Sequence, residues 1–241
     1  MSETAYEPAA KVAAQPPAER EPLPAYMTDV YDWAYVAPRN VRLLDRNLVV
    51  RTLLFGNDQR LMRAYLDEIE PGTRVWQVAH VYGDLVARAA DKVGPEGQFD
   101  LTDVTPIQAE HGRRKLRDRA WARALIADAG QFDSGKPYDL CCSFFLLHEV
   151  PESKKRAVVK RVLANVAPGG KAVFVDYHRP ARWQPIGWLL YFVNAKLEPF
   201  AHALWKNEIQ SYAPRAAERF TWHKRTYFGG VYQVVIAQAK D

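Results

Sequence analysis

Apolar residues along this chain follow one rhythm, then another, after an opening stretch with none. Residues 1–24 scatter Pro8, Pro16, Pro17, Pro22 and Pro24 among alanine and glutamate, with no apolar period. That pattern predicts a disordered tail. Over residues 25–69 the spacing becomes helical. Leu43, Leu44, Leu48, Val49, Leu53 and Leu54 recur near every 3.6 residues. Asn57 or Asp58 is placed to cap a further helix carrying Leu61, Met62, Tyr65, Leu66 and Ile69. These residues form a helical N-terminal cover ahead of the first strand.

From residue 73 the rhythm changes. Short, nearly continuous apolar runs predict strands at 73–80, 98–103, 122–128, 138–145 and 171–177, and helical periods fall at 84–93, 106–121 and 152–166. Pro71-Gly72, Gly94-Pro95 and Pro168-Gly169-Gly170 punctuate them as turns. Runs without polar alternation, separated by helices, mean a parallel sheet covered on both faces. Residues 182–210 read as an aromatic helical insertion broken near Pro199. Two final strands, 220–228 and 231–239, meet at Gly229-Gly230 as a hairpin, so the last strand enters antiparallel. The expected architecture is α/β and Rossmann-like: a mostly parallel seven-stranded sheet with an antiparallel last strand.

Composition narrows the classes. The 241 residues are 48% apolar and 25% charged, which suits one large soluble domain. Cys141 and Cys142 are adjacent, so they give neither a disulfide framework nor a four-cysteine zinc site; they read as buried strand thiols in a reducing compartment. No run is long and apolar enough to span a bilayer, and the start lacks a signal-peptide pattern. A cytoplasmic protein is expected. The net charge of +5 is too mild to argue for nucleic acid as a partner. The 12% aromatic content is high, and Trp183, Trp188, Trp205 and Trp222 crowd the last quarter. Something flat and apolar is expected there.

In such sheets ligands bind beyond the carboxyl ends of the strands, where strand order reverses. The loop after the first strand runs from Gln77 to Gly83. Asp103 lies twenty residues past Gly83, a spacing that suits a carboxylate on a ribose diol or a cap on the next helix. Asp128, after the third strand, is placed to meet an adenine amino group.

With these features residues 70–240 resemble the class I S-adenosylmethionine-dependent methyltransferases. The likeness rests on the strand-helix order, Asp103, Asp128, the Pro168-Gly169-Gly170 turn and the terminal hairpin. It implies cofactor contacts from Gln77, Ala79, Tyr82, Gly83, Asp103, Asp128 and Ser143. The family's first loop reads acid-x-Gly-x-Gly-x-Gly. Here Gln77 replaces the acid, Ala79 and Val81 replace two glycines, and only Gly83 remains. A nicotinamide dehydrogenase is excluded by the absence of any G-x-G-x-x-G.

Five segments resemble one branch more narrowly: YDWAY at 31–35 with Tyr26, VWQVAHVYGDL at 75–85, SFFLLHEVP at 143–151, VDYHRP at 175–180 and EPFAHALWKNEI at 198–209. They are similar to the RquA family of rhodoquinone biosynthesis proteins. That resemblance implies conversion of ubiquinone to rhodoquinone, an amino group replacing a ring methoxy group, with S-adenosylmethionine as amino donor and Mn2+ required. Candidate manganese ligands are His148, Glu149, Asp176, His178 and His202. His148, His80, Tyr26 and Tyr31 are the candidate catalytic residues, the tyrosines through the cofactor's carboxylate. Gln77 in place of an acid would leave the cofactor amine easier to deprotonate. The quinone partner implies peripheral membrane contact at the cytoplasmic face of the inner membrane. Residues 182–210, and secondarily the basic run 113–119, are the candidate lipid contacts. Two other readings stand beside this one: a methyltransferase acting on a quinone or other apolar small molecule, and a non-catalytic subunit of a quinone-biosynthesis complex.

Overall fold

The computed structural model describes residues 45, 47–187 and 200–240. The disordered tail expected over 1–24, most of the N-terminal cover, Tyr26, Tyr31 and the Pro199 break lie outside the described residues.

Seven strands form one sheet. They are β1 Arg74–Gln77, β2 Gln98–Asp103, β3 Ala122–Ile126, β4 Tyr138–Phe144, β5 Val166–Tyr177, β6 Phe220–Tyr227 and β7 Tyr232–Ala239. Their spatial order is β3-β2-β1-β4-β5-β7-β6. The pairs β1–β2, β1–β4, β2–β3 and β4–β5 are parallel, whereas β7 runs antiparallel to both β5 and β6. The order reverses between β1 and β4, so their carboxyl ends frame the switch point.

Strand periodicity sorts the core into two layers. Val75, Leu140, Cys142, Phe144, Val173 and Val175 face one side, beneath helices α1 Asn47–Leu53, α2 Asp58–Leu66, α3 Leu85–Val93 and the end of α4 Pro106–Leu116. Trp76, Val78, Cys141, Ala172 and Phe174 face the other, beneath α5 Glu152–Ala164, α6 His202–Lys206 and the turn Ile209–Tyr212. The adjacent cysteines therefore enter opposite layers, both free and fully buried. Burial pushes both thiols well up from the ordinary range, which keeps them as unreactive SH groups.

Three expectations about the elements change. The Pro168-Gly169-Gly170 turn lies inside β5, which starts at Val166. Gly169 takes φ +68°, and a Cβ on Gly170 would sit 2.8 Å from the Asp139 carbonyl oxygen, so the glycines let the strand begin early against β4. Helix α4 stops at Leu116 rather than 121. Strand β1 ends at Gln77 rather than at 80. The described part of 182–210 holds α6, the short turn at 209–212 and connecting segments, and α7 Pro214–Ala217 follows.

The basic run 113–119 is not an open cationic face. Arg113 and Arg114 pair with Glu110, Lys115 with Asp45, Arg117 with Asp118 and Arg119 with Asp91. No described helix is long and apolar enough to cross a membrane.

Candidate functional site

Four chain segments meet at the carboxyl edge of the sheet: the loop after β1, the turn Leu147–Glu149 after β4, the end of β5 and the β6–β7 hairpin. Val81, Tyr82, Phe145, Tyr177 and Phe228 all pack against the same core layer.

The loop after β1 is shaped by polar side chains. Gln77 is fully buried at the strand end. Its amide nitrogen donates to the Ala79 carbonyl at 3.2 Å, and its Oε1 is buried with no partner among the described residues. Gly83 adopts φ +84°, and a Cβ there would lie 2.9 Å from Asn47 Oδ1, so this one retained glycine is required. Its N–H donates to Asp45 Oδ1 at 2.9 Å. Lys115 reaches in from α4 and donates to the carbonyls of Gly83 at 2.7 Å and Val81 at 3.2 Å while pairing with Asp45. Burial lowers the Lys115 pKa, opposed by Asp45. Asp45 was not among the sequence candidates and Lys115 only as part of the basic run 113–119, although Gln108, His111 and Lys115 lie at i, i+3 and i+7 on one helical stripe.

Lys115→Met should leave the part-buried Asp45 with the Gly83 N–H and His111 alone and free the Val81 and Gly83 carbonyls. The expected loss is about 1–3 kcal/mol in urea unfolding. An unchanged midpoint would show that the clamp carries no stability.

His80 sits in the same loop, edge-on to Tyr82 and His111 at 5.9 and 6.2 Å. Burial, with Lys115 and His111 nearby, pushes its pKa well below the usual histidine value. It is a neutral imidazole and a weak base. As pH falls, the unfolded chain takes up this proton near pH 6.5 and the folded chain resists. The stability contribution is therefore full above that pH and lost as pH falls through the folded value. Stability should drop through this group as pH falls from 7 to 5.5. His80→Gln should remove that component from urea titrations run across the range.

Asp103 ends β2 beside this loop. Its Oδ1 accepts from the Thr105 N–H and hydroxyl at 2.8 and 2.7 Å, and its Oδ2 accepts from the His80 N–H at 3.1 Å. It thus braces the start of α4, with a lone pair left on Oδ2 for a ligand hydroxyl. Burial raises its pKa. Tyr82 accepts from Gln108 at 2.8 Å. Asp128 pairs with Lys154 at 2.6 Å and accepts from the Gly130 N–H at 2.7 Å, so it is already engaged where an adenine contact was expected. Ser143 is buried on β4, its hydroxyl without a partner among the described residues; in strand register it faces the layer opposite Gln77.

The strongest constellation lies after β4 and β5. Asp176, almost fully buried, accepts from the Leu147 N–H at 2.8 Å, the Tyr177 N–H at 2.8 Å and His148 Nδ1 at 2.9 Å. A carboxylate only accepts, so Nδ1 carries the hydrogen and Nε2 is the basic nitrogen. Glu149 Oε1 lies 3.8 Å from Nε2. The imidazole stands edge-on to Tyr177 at 4.8 Å and to Phe145 at 5.8 Å.

The five expected metal ligands do not converge. His148, Glu149 and Asp176 are neighbours, but Asp176 is spent on three donors. His178 turns away to the hairpin, Nδ1 at 3.0 Å from the Gly230 carbonyl. His202 packs edge-on against Trp205 at 4.9 Å. Glu208, a weaker candidate on the insertion, pairs with Lys224. Among the described residues no three such side chains form a group able to hold a metal ion. Strand ends bring sequence neighbours together without fixing where their side chains point.

A mostly parallel sheet with strand order β3-β2-β1-β4-β5-β7-β6 and β7 reversed defines the class I S-adenosylmethionine-dependent methyltransferase fold, and residues 75–170 match the methyltransferase-domain family. In sequence the chain is similar to the ubiquinone/menaquinone biosynthesis C-methyltransferase UbiE of Idiomarina loihiensis, 29% identical over 140 residues that cover 55% of each chain. It is 27% identical to UbiE of Ectopseudomonas mendocina over 68% of this chain and 66% of that one. The matches span about half the length of the first of these relatives. Among solved structures, the mitomycin 7-O-methyltransferase MmcR superposes with TM-score 0.62 at 15% identity, covering 87% of this chain and 60% of that one. The N-methyltransferase NodS of Bradyrhizobium japonicum, in complex with S-adenosylhomocysteine, gives 0.56 at 13%, covering 87% and 100%. At these identities the structural likeness is one of fold.

Proposed function

We propose that this chain binds S-adenosylmethionine at the β1–β4 switch point and uses it to modify the ring of a ubiquinone-type quinone. The observation that carries the cofactor reading is Gln77 Oε1, a buried acceptor with no partner among the described residues, at the strand end where this fold meets the cofactor's amino-acid end. An ammonium or amine would complete it, and Asp103 Oδ2 keeps a lone pair for a ribose hydroxyl. The quinone reading is supported by the curated relatives, which are named as C-methyltransferases of ubiquinone/menaquinone biosynthesis.

When bound, the cofactor supplies either an electrophilic methyl group or the amino group of its amino-acid end. His148 serves both cases in the same way. Asp176 holds it in one tautomer, and Nε2 accepts the proton released as the ring carbon or the amine forms its new bond. The positive charge this creates is stabilised by Asp176 and Glu149 on either side. Ring methylation is the reading the relatives favour. Amino transfer is the second reading, and Gln77 favours it. It would require the ring methoxy group to leave as methanol, the quinone ring to take up the two electrons lost as the cofactor's Cα–N bond becomes an imine, and water to split that imine into rhodoquinol and a 2-oxo acid. A neutral amide accepts a hydrogen bond from an amine without fixing an extra proton on it, as a carboxylate would. The described residues do not assemble a metal centre. The protein is expected to meet its quinone at the cytoplasmic surface of the inner membrane.

Incubation with ubiquinone or its demethylated precursor and S-adenosylmethionine labelled with ¹⁵N on the amine, with and without Mn2+, decides between the readings. Mass spectrometry of the quinone should show either a gained methyl group or an incorporated ¹⁵N. No modified quinone from either substrate, while the cofactor binds, would overturn the proposal.

A further inference from the structure

The three non-glycine residues with left-handed backbone among the described residues are all phenylalanines: Phe55 (φ 50°), Phe145 (φ 53°) and Phe228 (φ 50°). Bulky side chains rarely take this conformation, and each is strained there. The three come from distant parts of the chain: the end of α1, the end of β4 and the β6–β7 hairpin. Yet their rings meet in one place.

Phe55 stacks on Phe228 at 6.0 Å and 22°, and Phe228 stacks on Tyr232 at 6.2 Å and 16°. Tyr232 continues to Tyr177 at 5.6 Å and 32°. Tyr177 then meets the edge of His148 at 4.8 Å. Phe145 closes the inner end, edge-on to Tyr177, Tyr232 and His148. Three near-parallel rings and a fourth tilted by 32° thus form a ladder from the surface to the imidazole.

The ladder has an open mouth and a buried polar end. Phe55 is 37% exposed, next to Leu53 at 57%, and Trp183 is 75% exposed. A Cβ on Gly229 would lie 2.9 Å from the Trp183 ring, which places that ring at the hairpin beside Phe228. Inside, Tyr232 is fully buried and its hydroxyl has no partner among the described residues. Burial alone raises its pKa, so it is a neutral donor. An unsatisfied buried hydroxyl within an apolar wall asks for an acceptor from a ligand.

We propose that this ladder is the binding wall for the substrate's flat ring. The ring lies along Phe228 and Tyr232, a ring oxygen accepts from the Tyr232 hydroxyl, and an apolar tail leaves over Phe55, Leu53 and Trp183. The inference rests on the quinone reading above and adds where the quinone lies and which residues recognise it. Backbone strain at three separate points then has a purpose, because it turns each phenyl group toward the shared wall.

Phe55→Gly and Phe228→Gly test this well. Glycine relieves the left-handed strain, so removal of the ring should not unfold the chain, and every tryptophan and tyrosine stays in place to report binding. Quenching of intrinsic fluorescence by ubiquinone with a single isoprene unit gives the quinone Kd, and calorimetry gives that for S-adenosylmethionine. Each glycine variant should weaken quinone binding about tenfold or more, from lost stacking and buried area. Tyr232→Phe should weaken it about fivefold to tenfold, for one lost hydrogen bond. Cofactor affinity should stay within twofold in all three. Unchanged quinone affinity in the folded variants overturns the ladder and leaves the quinone reading intact. No quinone binding by the unaltered protein overturns both. Phe55 is the exposed member, so Phe55→Gly alone decides the matter if Phe228→Gly does not fold.

Discussion

Asp176→Asn is expected to reduce turnover by about a hundredfold or more with little change in KM for S-adenosylmethionine. With its oxygen turned to the Leu147 N–H, the amide puts its nitrogen where Asp176 Oδ1 receives both His148 Nδ1 and the Tyr177 N–H, and there it can only donate. The imidazole then carries its hydrogen on the wrong nitrogen, and Nε2 loses its lone pair. General-base contributions of 10² to 10⁴ set the scale. Asp176→Ala is a harsher change. It strands three buried donors, so it should also lower stability by about 3–5 kcal/mol in urea unfolding. Comparing the two separates chemistry from folding. His148→Ala should match the turnover loss of Asp176→Asn, and the double variant should add little. Full turnover in Asp176→Asn would remove His148 from the reaction.

Gln77→Glu is expected to have opposite effects on stability and binding. Without ligand, a carboxylate replaces a fully buried amide that donates to the Ala79 carbonyl, and the folded state should lose about 2–4 kcal/mol or hold the acid protonated. With S-adenosylmethionine present the new carboxylate meets the ammonium. Cofactor affinity should rise about tenfold at neutral pH, and thermal stability should recover on saturation. The effect on turnover then identifies the group transferred. Methyl transfer should persist, because the sulfonium is far from this end of the cofactor. Amino transfer should fall at least tenfold, because the carboxylate keeps the amine protonated. Unchanged amino transfer in Gln77→Glu would sink the idea that position 77 tunes that amine.

Fold and site were legible in the chain to different degrees. Nearly unbroken apolar runs gave the sheet away, along with the burial of Cys141 and Cys142 as strand thiols. The Gly229-Gly230 hairpin marked the reversed strand correctly. Pro168-Gly169-Gly170 misled because turn residues also serve where a strand must pass close to a neighbouring backbone, as Gly170 does against Asp139. At the site, His148 and Asp176 fell on neighbouring strand ends and do touch. His178 sat just as close in sequence and points elsewhere, because side-chain direction depends on the hairpin that receives it. The phenylalanine ladder left no local trace: its members are separated by up to 173 positions, and nothing in a phenylalanine's identity announces a left-handed backbone.

The clamp of Lys115 and Asp45 on the loop after β1 has a bearing on chain entropy. In the related motif, glycines leave the unfolded loop many conformations, all of which must be given up on folding. Ala79 and Val81 narrow that unfolded ensemble, by roughly 0.4–1 kcal/mol for each position whose native backbone tolerates a side chain. The Lys115 ammonium then holds the carbonyls of Val81 and Gly83 before any ligand arrives. A loop ordered in advance gives up little freedom when it binds. Cofactor association should therefore show a small entropic penalty, and the loop amides should resist hydrogen exchange equally well in the free and bound protein.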